Sequence, residues 1–329
     1  MMKNWMLAVA ATGFATSATA QDQVTFATNW LAQGGHGGFY QAMADGTYEE
    51  FGLDVEIQQG GPQVNNRPML AAGRIDFLMA GNLLLSFDNV RNEIPTVVVA
   101  AYYDKDPQVL IAHEGAYADW ADLANAPEVL IGKDGQFSFW QWMTASQGFA
   151  DEQLRPYGYN LAQFLNDDKM VQQGYATSEP LYAAQQGAPV DTFLLADYGW
   201  DTYSTTVEAR VEMVEENPDL VQRFVDASTI GWYNYLYNDP TLGNEAIMEA
   251  NPEMTLEGLT AEVDQLKALG IIGAGYQEEV GIGAIDMDRI QMFYDTVVAA
   301  GILEEGSVDV SKVATDQFVN RQVGMDLVE

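Results

Sequence analysis

Between residues 23 and 102 the hydrophobic period switches repeatedly between two and 3.6, and this switching constrains the fold more than any other feature of the chain. Residues 23–27 (QVTFA) and 53–58 (LDVEIQ) alternate apolar and polar side chains and read as strands. Residues 75–80 and 96–102 are β-rich apolar runs that read as buried strands. Between these runs, residues 39–46, 66–72 and 83–91 carry apolar positions at helical spacing. Gly-rich loops at 33–38 and 60–62 and a stop at Gly73 punctuate them. A β-α-β-α-β-α-β order predicts a largely parallel sheet covered by helices.

A second cycle follows. Strands are expected at 109–113, 128–131, 157–160, 175–176 and 190–195, with helices at 119–123, 139–148, 166–173 and from Pro180. Beyond Val207 the chain reads as mostly helical, at 219–238, 256–269, 287–299 and 313–320. Roughly 300 residues exceed one ordinary core, so two α/β lobes are expected. Residues 21–104 with 205–329 would form lobe I and residues 105–204 lobe II. Chain crossings near 103–106 and 198–204 would form a hinge. Ligands of open α/β sheets sit at the carboxyl ends of strands. Two facing lobes would therefore bring those loops to one cleft.

The first twenty residues read differently from the rest. Lys3 precedes an apolar stretch at 7–15, and Ala18-Thr19-Ala20 supplies a small-x-small cleavage pattern, so residues 1–20 are expected to be a secretory signal peptide. No later stretch is long and apolar enough to span a bilayer. The chain has 0 cysteines, which removes disulfides, thiolate ligands and a cysteine nucleophile, and also a lipid-anchored cysteine. A freely diffusing, monomeric periplasmic protein is the expectation, with no membrane insertion. The formal net charge of -34 repels nucleic acid and anionic lipid. It fits solubility in a salty habitat, or else a cationic cargo.

Residues 29–58, NWLAQGGHGGFYQAMADGTYEEFGLDVEIQ, carry a resemblance. The run Tyr48-Glu49-Glu50-Phe51-Gly52-Leu53-Asp54-Val55, the segment Ala71-Ala72-Gly73-Arg74-Ile75-Asp76-Phe77 and the helix start Glu216-Asn217-Pro218-Asp219-Leu220-Val221 recur in that order. With them the chain resembles the nitrate/sulfonate/thiamine-precursor family of solute-binding proteins. His36 in its glycine loop, Gly135-Gln136-Phe137 and the Thr177-Ser178-Glu179-Pro180 turn are similar to the pyrimidine-precursor branch. The resemblance implies a two-lobed periplasmic-binding-protein fold of type 2, with mostly parallel sheets and two hinge crossings. It implies a small-molecule ligand, ABC transporter permease subunits as partners, and no cofactor. A pyrimidine synthase related to the branch uses pyridoxal phosphate and a cysteine-rich motif. Neither that motif nor the lysine expected after the third strand is present, Leu78, Met79, Ala80 and Gly81 standing there.

The strand-end loops offer an aromatic and amide-rich set: Asn29, Trp30, His36, Tyr40, Asn65 and Asn82 from lobe I, Gln136, Ser138, Phe139, Trp140, Tyr175 and Glu179 from lobe II, and Tyr198 at the hinge. Such groups stack on a planar heterocycle and hydrogen-bond its edge. Trp30 serves equally as pocket wall or core plug. Glu179 is a ligand contact or a helix N-terminal acid. His36, between glycines that bury it poorly, is a ligand contact, a cap or a surface residue. Loop cations are few (Arg67, Lys105 and Lys133), which disfavours a nitrate-, sulfonate- or taurine-type anion but leaves backbone donors open. A flavin is a further option. Two histidines and no catalytic or metal motif argue for binding rather than catalysis. The rival from another class is an exported enzyme using His36 and Glu179 as acid and base on a pyrimidine-like ring.

Overall fold

The computed structural model describes residues 21–61 and 64–328. The expected signal peptide, residues 1–20, lies outside them. Ten strands form two five-stranded sheets. The first holds β1 (Asp22–Ala27), β2 (Leu53–Gln58), β3 (Phe77–Met79), β4 (Thr96–Tyr103) and β10 (Ser204–Arg210), in the order β2-β1-β3-β10-β4. The second holds β5 (Gln108–His113), β6 (Val129–Ile131), β7 (Leu154–Pro156), β8 (Val171–Tyr175) and β9 (Val190–Leu194), in the order β7-β6-β8-β5-β9.

The two orders are the same pattern. In the first sheet β1 pairs parallel with β2 and β3, while β10 runs antiparallel between β3 and β4. In the second, β6 pairs parallel with β7 and β8, while β5 runs antiparallel between β8 and β9. Each sheet thus has four strands running one way and one running back. The reversed strand is in each case the one that has just crossed from the other sheet. A chain that crosses only at one end of a sheet must enter there, so its first strand points away from that end. The remaining four end at the crossing, and their carboxyl-end loops meet in one place.

Local chemistry explains the strands. Val24 and Phe26 of β1 and Leu53 and Val55 of β2 are buried on a period of two. β4, TVVVAAYY, is buried at every position although it lies at a sheet edge. Its outer side is paired by single bridges to Gly283 and Ala314, which remove an exposed edge. Seven helices frame the region of interest: α1 (Gly37–Ala44), α2 (Leu83–Arg91), α3 (Phe139–Ser146), α4 (Glu179–Gln185), α5 (Pro218–Tyr237), α6 (Leu256–Ala268) and α7 (Met287–Ala299). Phe224 of α5 stacks on Phe77 of β3 with ring centroids 4.0 Å apart, anchoring α5 to the first sheet.

The elements depart from the sequence reading in four places, the first being β10, a strand at 204–210 that runs into the segment read as mostly helical beyond Val207. Residues 166–173 do not form a helix; β8 occupies 171–175. Gln172 and Gln173 are buried in it, and these polar side chains hid the strand signal. Gln173 resolves its burial by accepting from the Gly132 amide at 2.7 Å and donating to Gln108 Oε1 at 3.1 Å. The strand expected at 157–160 lies earlier, at 154–156. The helix expected at 313–320 is replaced by turns after a single 3-10 turn, Val310–Lys312.

Candidate functional site

The loop after β1 carries exposed Asn29 and half-buried Trp30. Across the gap, β7 runs into Tyr157 and Tyr159. The Trp30 and Tyr159 rings stand 6.0 Å apart at 40°, one from each sheet's strand-end loops. Tyr159 is held there by a left-handed backbone, φ 55°, and by the missing side chain of Gly132. A Cβ at Gly132 would lie 3.0 Å from the Tyr159 hydroxyl oxygen. Tyr157 packs beside Tyr159 at 5.1 Å and donates its hydroxyl to Glu179 Oε1 at 2.8 Å. Burial and the adjacent Glu179 charge both raise the Tyr157 pKa. Glu179 Oε2 accepts from the Tyr175 amide at 2.7 Å and the Ser178 hydroxyl at 2.6 Å. As first residue of α4, Glu179 also faces the positive helix end.

On the lobe I side, a 3-10 turn, Gly34–His36, leads into α1. The expectation that glycines leave His36 poorly buried is corrected: His36 is 1% exposed. The glycines admit a helix. A Cβ at Gly37 would lie 1.9 Å from the Tyr235 ring, and one at Gly38 2.2 Å from Trp232, both on α5. His36 Nδ1 and the Tyr40 hydroxyl are buried without a hydrogen-bond partner. Desolvation pushes His36 down to about 3 and Tyr40 up to about 12. At the end of β4, Tyr103 donates to the Gly35 carbonyl at 3.0 Å. Glu262 of α6 lies against the same turn, its Oε2 2.6 Å from where a Gly34 Cβ would be. Burial pushes Glu262 up to about 7, opposed by the Gly34 and Gly35 amides.

At the crossing, Asn82 caps α2 by accepting from the Leu84 amide at 3.1 Å and donates to Asp106 Oδ2 at 3.1 Å. Asp106 also accepts from the Gln108 amide at 3.2 Å. Its burial pushes it up to about 6, against the Asn82 hydrogen bond. Asn65 is exposed and accepts from the Arg67 amide at 3.2 Å. The Arg67 guanidinium is engaged by the Leu85 carbonyl and Asn89. Gln136 donates to the Ile131 carbonyl at 2.9 Å, and the Ser138 hydroxyl to Gly135 at 3.4 Å. Phe139 is buried against Trp200.

Two predicted residues leave the set. Trp140 is buried, donates to Asp151 at 3.0 Å and packs on Phe149. Tyr198 stacks on Trp120 at 4.3 Å and 8°. Trp140 is enclosed among its neighbours, and Tyr198, although exposed, has one ring face covered by Trp120. The sequence reading missed Tyr103, Tyr157, Tyr159 and Glu262. Strand-end position was a usable signal for Tyr103 and the two lobe II tyrosines. Glu262, in a polar helix, carried none. A surface hollow of about 470 Å³ beside His113, Glu114 and Gln186 lies where β5 ends, away from the crossing.

Residues 33–242 match the profile of the NMT1/THI5 like family. The chain belongs to this family. The NMT1/THI5-like match takes in β2 to β10 and both crossings, while β1 and Trp30 lie before it and Glu262 after it. The riboflavin-binding protein RibY from Chloroflexus aurantiacus is 24% identical over 306 residues, which cover 90% of this chain and 86% of that protein. The periplasmic aliphatic sulphonate binding protein SsuA from Escherichia coli shares the fold, with a TM-score of 0.61 at 14% identity over 88% of this chain and 91% of that chain. The desulfurization enzyme DSZB shares it too, with a TM-score of 0.59 at 14% identity over 91% and 98%. The NMT1/THI5-like chain is a two-lobed α/β protein of the periplasmic-binding-protein fold.

Proposed function

We propose that this protein is the periplasmic solute-binding component of an ABC importer and holds a small nitrogen-containing heteroaromatic compound between its lobes. The Trp30–Tyr159 pair carries the reading. Its rings belong to opposite lobes and stand 6.0 Å apart. A flat ring between two others needs roughly 7 Å, two contacts of about 3.5 Å each. An opening of about 1 Å with loss of the tilt therefore admits one aromatic layer. A ligand gripped this way touches both lobes, binds the closed form better and shifts the population toward it. The closed shape would then be what the permease subunits recognise.

Two ring systems fit: an aminopyrimidine of the thiamine-precursor type and the isoalloxazine of a flavin. The RibY similarity supports the second. A sulfonate or other anion is supported by the SsuA likeness only through the fold. Against it, Arg67 and Lys105 are engaged elsewhere, Lys105 by Asp197 at 3.1 Å, and exposed Lys133 is what remains at the β6 tip. The DSZB likeness raises turnover as a second reading. The proposed acid–base pair argues for binding instead. His36 is buried and held neutral, and Glu179 already accepts from three donors. We place lobe I at 21–104 with 205–329 and lobe II at 105–204, and residues 1–20 as the export signal of a monomeric protein.

Native mass spectrometry and tryptophan-fluorescence titration with riboflavin, an aminopyrimidine, taurine and nitrate test this. One ring compound should bind one to one and be released unchanged, and Trp30→Ala should weaken it at least about tenfold. Tighter binding of taurine or nitrate, or a converted product, would overturn the proposal.

A further inference from the structure

We infer that Glu262 is the lobe I hydrogen-bond acceptor for the ligand, and that it selects a heteroaromatic bearing an N–H donor over an anion of the same size; this rests on the binding role proposed above. Glu262 is 4% exposed, and its Oε2 is buried with no hydrogen-bond partner. Among the described ion pairs no lysine or arginine reaches it. A buried acceptor left unpaired is costly unless something pairs with it in the working state.

Its surroundings show where that partner comes from. Glu262 acts electrostatically on Tyr103 of β4, Tyr235 of α5 and Tyr182 of α4. Tyr103 spends its proton on the Gly35 carbonyl, and Tyr235 spends its own on Asn244 at 2.8 Å. Tyr182 belongs to the other lobe, is 45% exposed, and feels both Glu262 and Glu179. Glu262 lies against the Gly34–His36 turn that follows β1, and Glu179 stands just after β8, so the two carboxylates flank strand-end loops of opposite sheets. Glu179 already accepts from three protein donors, whereas Glu262 Oε2 accepts from none, so the open acceptor is Glu262. Gly34 is what lets the carboxylate reach the turn, since any side chain there would meet Oε2 at 2.6 Å. Burial raises the Glu262 pKa and the Gly34 and Gly35 amides oppose the rise, while Oε2 still lacks a donor. An N–H group supplies one, whereas a sulfonate or nitrate supplies only further acceptors.

The test uses the full-length mature protein and paired probes: 4-aminopyrimidine against 4-(dimethylamino)pyrimidine, and riboflavin against 3-methylriboflavin, titrated by calorimetry. Wild type should prefer the N–H member of the pair it binds by at least about tenfold. Glu262→Gln should erase that preference, while Trp30→Ala should weaken both members equally. If wild type binds both members alike, the inference fails, whether or not Glu262→Gln folds. It fails also if Glu262→Gln keeps the preference while Trp30→Ala weakens binding, and the binding role then stands. If no ring probe binds wild type, both are overturned.

Discussion

Burial acts on His36 and Glu262 in opposite directions along the pH axis. His36 is a base whose folded pKa lies near 3, below its ordinary 6.5. The unfolded chain therefore takes up the proton first, and stability is lost as pH falls from about 6.5 toward 3. Glu262 is an acid whose folded pKa lies near 7, above its ordinary 4.5. The folded chain holds that proton longer, so stability is gained as pH falls from about 7 to 4.5, and lost as pH rises through the same window. Comparing wild type with Glu262→Gln cancels every other titration. The variant should gain roughly 3 kcal/mol on wild type between pH 4.5 and pH 8. Urea unfolding at the two pH values measures it. An unchanged difference would mean that the Gly34 and Gly35 amides already stabilise the carboxylate as well as water does.

At the scale of elements, the contact of α1 with α5 decides how the lobe I wall is held. Gly37 and Gly38 let the two helices approach until Tyr235 and Trp232 lie where side chains would be. Gly38→Ala should lower stability by about 3 kcal/mol, since Trp232 is fully buried and has nowhere to move. Denaturant unfolding reads this, and a loss below about 0.5 kcal/mol would show the wall to be pliable. The same contact shows what a sequence hides. The glycines of residues 34–38 were legible as a special loop, but not as a socket for a helix some two hundred residues later. The strand pattern of the first sheet was legible because Val24, Phe26, Leu53 and Val55 alternate with polar neighbours. β8 was not, because Gln172 and Gln173 are buried polar residues, and the Gln173 partners, Gly132 and Gln108, lie far away in sequence. Of the site, Trp30 and Glu179 were legible from strand-end position. Tyr159 carried the same positional signal, but its pairing with Trp30 and the place of Glu262 depended on which segments meet, a long-range property no local period encodes.

For the whole molecule, both crossings pass under a single cation. Asp104 opens the outgoing crossing and Asp201 lies on the returning one. Arg289 of α7 donates to Asp104 Oδ1 at 2.9 Å, to the Asp104 carbonyl, and to Asp201 Oδ1 at 2.5 Å. Its guanidinium lies 4.3 Å over the Tyr203 ring, whose hydroxyl oxygen accepts from the Asp286 amide at 3.0 Å. Burial raises the Asp104 pKa and Arg289 opposes the rise. A chain with 14 basic and 48 acidic residues has few cations to replace this one. Arg289→Met leaves Asp104 buried beside Asp201 without its paired guanidinium and should cost about 3 kcal/mol, at the lower end for a broken buried pair because Asp201 is half exposed and Lys105 is nearby. Arg289→Lys keeps the charge but lacks the planar fork that holds both crossings at once. It should therefore retain most of the stability while loosening the angle between lobes. Small-angle X-ray scattering of the ligand-free Arg289→Lys protein should then give a larger radius of gyration than wild type. An unchanged radius would place the hinge stiffness in the paired strands β4 and β10 rather than in the arginine that joins the two crossings.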